Sequence, residues 1–240
     1  MSQDAWRDLR RAVKDEAAAL DRLIAEWLRA RAASGKRIFC QDGCSGCCTL
    51  FVQATLVEAL IVAEELDSIQ LHKLEDYILR QRENFAGESD FLAVLRKQRT
   101  TLGPCPFLDD AGSCSIYELR PLACRALLST KDPAWCDVDF STLDPLEKRL
   151  YLESLEREVV AYPVHYVAST QNAAQSAETR LLEQMPGGAI SGNFPLLVYL
   201  ASTIQLAAQT RGEAVNWQQQ LSASDFFHPL LLQMPSNREN

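Results

Sequence analysis

Apolar residues return at helical spacing between positions 3 and 33. Trp6, Leu9, Val13, Leu20, Ile24, Trp27 and Leu28 form one stripe, with charged residues between them. A repeat of three to four residues is the pitch of an amphipathic helix, so this stretch predicts one long helix. Gly35 is suited to end it. The segment ATLVEALIVAEEL, residues 54–66, is apolar on most sides. It predicts a buried helix packed behind the segment before it. Helices with polar faces are expected over 68–84 and 89–100. From 101 to 137 prolines and glycines interrupt the pattern repeatedly, which predicts loops with short helical turns. Asp144-Pro145-Leu146-Glu147 is a helix start: Asp144 caps, Pro145 suits the first turn, and Glu147 completes a capping box. That helix is expected to run to about Val160, with Pro163 beyond it. Further helices are expected over 166–184, 195–210 and 213–222. Strand alternation is absent nearly everywhere, with room for short pairing around 106–117.

These elements predict a mainly α protein: a helical domain with a loop-rich, cysteine-built metal site. An N-terminal amphipathic helix occupies 1–37, a cysteine-cluster metal-binding region 38–137, and a helical C-terminal region, packed on the same core, 138–240. No run reaches the roughly 18 apolar residues of a membrane span. The first twenty residues are charged throughout and lack the apolar stretch of a secretory signal, so a cytoplasmic protein is expected. Formal net charge is -8, and residues 1–37 hold nine Lys/Arg against six Asp/Glu. The acidity therefore lies in the body of the chain. It argues against nucleic acid or an anionic membrane as the partner and leaves a protein partner or protein substrate.

Eight cysteines are what this composition does not explain. Cys40, Cys44, Cys47 and Cys48 form one block; Cys105, Cys114, Cys124 and Cys136 form a second, and the last hundred residues have none. Core cysteines have no reason to share loops with glycine and proline, and a disulfide framework does not suit a reducing compartment. The two-residue gap of Cys44-Ser45-Gly46-Cys47 lets two sulfurs converge on one metal. The adjacent side chains of Cys47 and Cys48 diverge. Either they serve different metals, or one is not a ligand, or a larger polynuclear cluster relaxes the conflict. Eight thiols suit two four-cysteine zinc sites, two iron–sulfur clusters, one of each, or a single site with spare thiols. Arg120 and Arg125 flank Cys124 and are candidates to donate hydrogen bonds to sulfur. Ser115 and Glu118 have capping-box spacing, which would set Cys114 just before a helical turn. Tyr117 is expected in the core, and Asp109 and Asp110 are expected to make the turn between Cys105 and Cys114.

The succession Cys40 to Cys48, then Cys105-Pro106-Phe107-Leu108, then CSIYELRPLACR from Cys114 to Arg125, resembles the YkgJ-type cysteine-cluster proteins. That resemblance covers about residues 38–137. It implies a zinc- or iron-chelating domain whose ligands come from the eight cysteines, with Cys136 and Cys40 at its margins. The family is also similar to flagellin lysine N-methylases. This second likeness implies an iron–sulfur centre and methyl transfer from S-adenosylmethionine to a protein lysine, and it favours iron over zinc.

Other chemistry is less well supported by the residues. Cys40-x3-Cys44-x2-Cys47 has the spacing of a radical S-adenosylmethionine motif, but Gly46 stands where an aromatic is usual and the strand–helix alternation of a barrel is missing. Pro186 to Gly192 is the one glycine cluster; lying between helices, it reads as a connector, so no motif marks an S-adenosylmethionine pocket. His72, His165 and His228 are scattered and lack metal-ligand spacing to any cysteine, so none is expected as a ligand. A zinc-stabilised protein-interaction module, with the metal only holding loops together, is the remaining class.

Overall fold

The N-terminal stripe folds as α1 (Gln3–Ala33). The computed structural model describes residues 3–41, 43–185, 189–211 and 216–235. Leu9 and Leu20 of α1 are buried against Leu122 and Ala126, and against Ala174, Ala177 and Leu181 of α7 (Ala168–Glu183). At the C-terminal end of α1, Arg31 is buried over Trp27; it donates to Arg37 O at 2.9 Å and pairs with Glu156 at 2.9 Å. This ties the N-terminal helix to the C-terminal half.

The centre of the molecule is α2 (Leu56–Glu65) packed along α8 (Phe194–Arg211). Leu56, Ala59, Leu60 and Val62 share one core with Leu196, Leu197, Val198 and Ala201. Leu74, Tyr77, Ile78 and Phe85 of α3 (Ser68–Phe85) close it. Fully burying a side chain of leucine or phenylalanine size contributes roughly 1.5–3 kcal/mol. Both helices of this hub start from strands. In β1 (Gln53–Thr55) and β2 (Ser191–Asn193), Gln53 faces Asn193 and Thr55 faces Ser191; β3 (Leu232–Gln233) pairs on the other side of β2. All pairs are antiparallel. Gly192 sits in the central strand, where an added Cβ would strike Leu231 O and come within 2.8 Å of Leu232 Cδ2.

Strands of two or three residues are too short to show alternation, so this sheet had no signature in the pattern. The expected helix over 54–66 accordingly begins two residues later: Ala54 belongs to β1 and Thr55 is both its last residue and the cap of α2. The expected helix over 89–100 is α4 (Phe91–Lys97), continued by a π-helical turn over Gln98–Leu102. The capping box at Asp144 forms as expected and opens α6 (Pro145–Glu153). This helix stops at Ser154 instead of near Val160. Lys131 Nζ donates to Ser154 O at 2.7 Å, and the chain turns so that Val160 pairs with Val167 and is buried with Tyr151 and Leu155. Tertiary pairing there outweighs helix continuation. Of the expected helix 213–222, residues 213–215 lie outside the described residues; α9 (Trp217–Ser222) is the rest. Of the glycine cluster, Pro186 to Gly188 also lie outside them. Among the described residues no helix is long and apolar enough to cross a membrane.

Candidate metal centre

The first cysteine block folds around a 3₁₀ turn, Gly46–Thr49, in which Cys48 N donates to Ser45 O at 2.9 Å and Leu50 N to Cys47 O at 3.1 Å. The turn is held by the second block. Cys105 N donates to Cys48 O at 2.9 Å, and Thr49 Oγ1 to Asp137 Oδ1 at 2.7 Å. Gly46 makes the close approach possible: an added Cβ would lie 2.9 Å from Pro133 O and 3.2 Å from Cys136 Cβ. Only a residue without a side chain lets the two blocks meet this closely.

Cys105 and Cys114 flank a short hairpin. Leu108 pairs with Cys114, Ser115 N donates to Phe107 O at 2.8 Å, and Asp109 Oδ1 accepts from Ala111 N and Ser113 N. Asp109 and Asp110 thus make the turn as expected, with Gly112 N donating to Asp109 O at 3.0 Å and Asp110 facing solvent near Lys73. Cys124 lies on the four-residue helix α5 (Leu122–Arg125). Its start is held by a buried carboxylate of α2. Glu58 Oε1 accepts Leu122 N at 2.8 Å, while Oε2 accepts Thr55 N at 2.9 Å and Thr55 Oγ1 at 2.7 Å. The buried helix therefore carries its own cap and the anchor of a cysteine segment in one side chain.

The result is a cavity of about 390 Å³ whose walls include Cys40, Cys44, Cys47, Cys48, Cys105, Cys114 and Cys124. Tyr77 and Gln98 also line it; Gln98 Nε2 donates to Tyr77 OH at 2.6 Å, and Gln98 Oε1 is a buried oxygen without a partner. All eight cysteines are free thiols. Removal from water pushes the Cys40 thiol up to about 11 and the Cys105 thiol up to about 12, and raises Cys114, Cys124 and Cys136 as well. The Cys47 thiol is raised first by its hydrogen bond with Cys48 and then by burial. Neighbouring thiols also oppose the ionisation of these six. A cation among them reverses this: coordination removes the proton and cancels the repulsion. Among the described residues no three His, Cys, Asp or Glu side chains are already arranged to hold an ion; the thiols surround a space, not a point. Soft thiolates in this number suit zinc or iron.

Arg120 lines the cavity, its positive charge easing ionisation of Cys47, Cys114 and Cys124. Its guanidinium lies 3.5 Å from the centre of the Tyr117 ring and donates to Tyr117 O. Tyr117 itself is 43% exposed, not in the core. Arg125 donates to Asp21 at 2.8 Å, to Arg120 O at 2.9 Å and to Glu118 O. Its fork is spent on fastening the segment to α1. The capping box expected at Ser115 does not form; Ser115 Oγ accepts from Gln70 Nε2 at 3.1 Å, and the turn Tyr117–Leu119 has no side-chain cap.

Cys136 lies behind the 3₁₀ turn, against Gly46, and is 4% exposed. His165, 2% exposed, sets Nε2 3.3 Å from Cys136 Sγ and Nδ1 2.9 Å from Tyr151 OH. Burial holds this imidazole well below its ordinary pKa, at about 4, so it is neutral. Spacing along the chain did not point to His165. A lone buried histidine outside the cysteine blocks carries no local signal.

Thiols from two sequence blocks gathered around one cavity define a cysteine-cluster metal-binding region. Residues 39–139 match the family model CxxCxxCC, "Putative zinc- or iron-chelating domain". That match covers less than half of the chain and falls on the cysteine blocks that carry the resemblance. No curated protein and no solved structure matches the chain.

Proposed function

We propose that this protein holds an iron–sulfur cluster in the cysteine-lined cavity. The observation that carries the reading is that the adjacent thiols of Cys47 and Cys48 both line one cavity with Cys105, Cys114 and Cys124. Two neighbouring residues on one tetrahedral ion are strained, while a polynuclear cluster spreads its ligands. Cavity size agrees. A zinc ion with sulfurs at about 2.3 Å occupies a point between its ligands, whereas this space is far larger than the ~30 Å³ share of one water molecule. When bound, such a cluster supplies one-electron chemistry. The chain's own contribution is to hold four thiolates, to offset their charge with Arg120, and to limit water through the apolar walls formed by Phe107, Ile116 and Phe194.

The test is the content of iron, zinc and acid-labile sulfide in protein purified without oxygen, with an absorption spectrum. Iron and sulfide in equal amounts with a brown chromophore are expected. Zinc without sulfide or colour would overturn the cluster in favour of closed four-cysteine sites, and metal-free protein would overturn metal binding altogether.

A further inference from the structure

We infer that His165 is a metal ligand, and that with Cys136 it forms the core of a mononuclear zinc-type site, with Cys40 in the same corner. The inference rests on the reading of this region as metal-binding, and adds to it a ligand from outside the cysteine blocks.

Two observations carry it. First, two donors are already paired: Cys136 Sγ and His165 Nε2 are 3.3 Å apart. Two ligands of one tetrahedral zinc, at about 2.3 Å for sulfur and about 2.0–2.1 Å for nitrogen, stand about 3.6 Å apart. The observed pair is within a few tenths of an ångström of that. Second, the far side of the ring is oriented as ligating histidines require. Nδ1 is 2.9 Å from Tyr151 OH, and with Nδ1–H donated to Tyr151 the Nε2 lone pair faces Cys136. The backbone beneath is fixed too: His165 O accepts both Thr130 N at 3.0 Å and Thr130 Oγ1 at 2.9 Å. The phenol of Tyr166, 7% exposed, lies beside Cys136 as well.

Cys40 is bound into the same corner. Its Sγ accepts from Ser129 N at 3.1 Å, and Ser129 pairs in turn with Tyr166. Cys40 comes from the loop before the 3₁₀ turn. Cys136 and His165 are not among the residues lining the cavity, so their pair stands apart from the thiols that surround it.

The experiment loads metal-free full-length protein, its histidines nitrogen-labelled, with spin-active cadmium(II), and measures scalar coupling between cadmium and imidazole nitrogen. Coupling to one histidine, lost in His165→Asn, is expected. Bound cadmium with an all-sulfur shell and no coupling in the wild type would overturn the inference while leaving metal binding intact. Failure to bind cadmium at all would overturn both. Because His165→Asn removes a buried ring, Tyr151→Phe serves as a second variant. It keeps the packing but drops the orienting hydrogen bond, and should weaken zinc affinity at this site about 10–100-fold. Unchanged zinc affinity in Tyr151→Phe, with wild-type circular dichroism, would count against ligation through Nε2.

Discussion

Truncating Glu58 tests the link between core and metal site most directly. In Glu58→Ala the main-chain N–H groups of Thr55 and Leu122 lose their acceptor, and both residues are buried. Each unpaired buried donor costs roughly 1–3 kcal/mol. Against this, the substitution relieves the burial of a carboxyl whose pKa is raised by desolvation, despite the hydrogen bonds from Leu122 and Thr55 that oppose the rise. The balance is a loss of about 3 kcal/mol, a large part of the roughly 5–15 kcal/mol typical of a domain. With a urea dependence of about 3 kcal/mol per molar, the midpoint should fall by about 1 M. Glu58→Gln keeps one acceptor for Leu122 but turns an amide toward Thr55, and should lose only about 1 kcal/mol. Urea titration of metal-free protein, followed by circular dichroism, measures both. A shift under about 0.3 M for the alanine variant would refute the reasoning, since about 1 kcal/mol is the least that even one orphaned donor should cost. Metal affinity should fall as well, because α5 and its Cys124 lose their anchor.

Three other outcomes follow from the same structure. Gly46→Ala must push Pro133 and Cys136 away, at about 1–3 kcal/mol; metal content should fall with it, and a variant retaining full metal and its wild-type urea midpoint would show that the blocks do not need this close approach. Gly192→Ala collides with backbone, which cannot yield as a side-chain tip can, so its thermal midpoint should drop by several degrees, and an unchanged midpoint would show that the central strand has room for a side chain. Glu178 faces Glu58 and is raised to about 8 by burial, with the Glu58 charge second. A raised carboxyl pKa favours the folded state while the group is protonated; that contribution is full below about 4.5 and is lost as pH rises through about 8. Glu178→Gln should therefore be more stable than wild type at pH ~9 and equal to it near pH ~4, and an equal gain at both pH values would exclude titration as the cause.

Much of this was legible along the chain because its causes are local. Helical stripes, the cap at Asp144–Glu147, and the turn at Asp109 depend on residues within a few positions of one another, where periodicity and the pairing of backbone groups leave little choice. The eight cysteines, in loops rich in glycine and proline, marked the metal-binding region for the same reason: ligand spacing is a local property. What the tertiary structure alone decided lies across long separations. It turned Arg125 from the sulfurs to Asp21, 104 residues away, and spent Ser115 on Gln70. It built a sheet from strands too short to alternate, which only Gly192 permits at its centre. It brought His165 to Cys136 across 29 residues. These pairings come from how the buried faces of α1, α2, α7 and α8 pack, and a linear pattern records that a residue is buried or polar without recording what packing sets beside it.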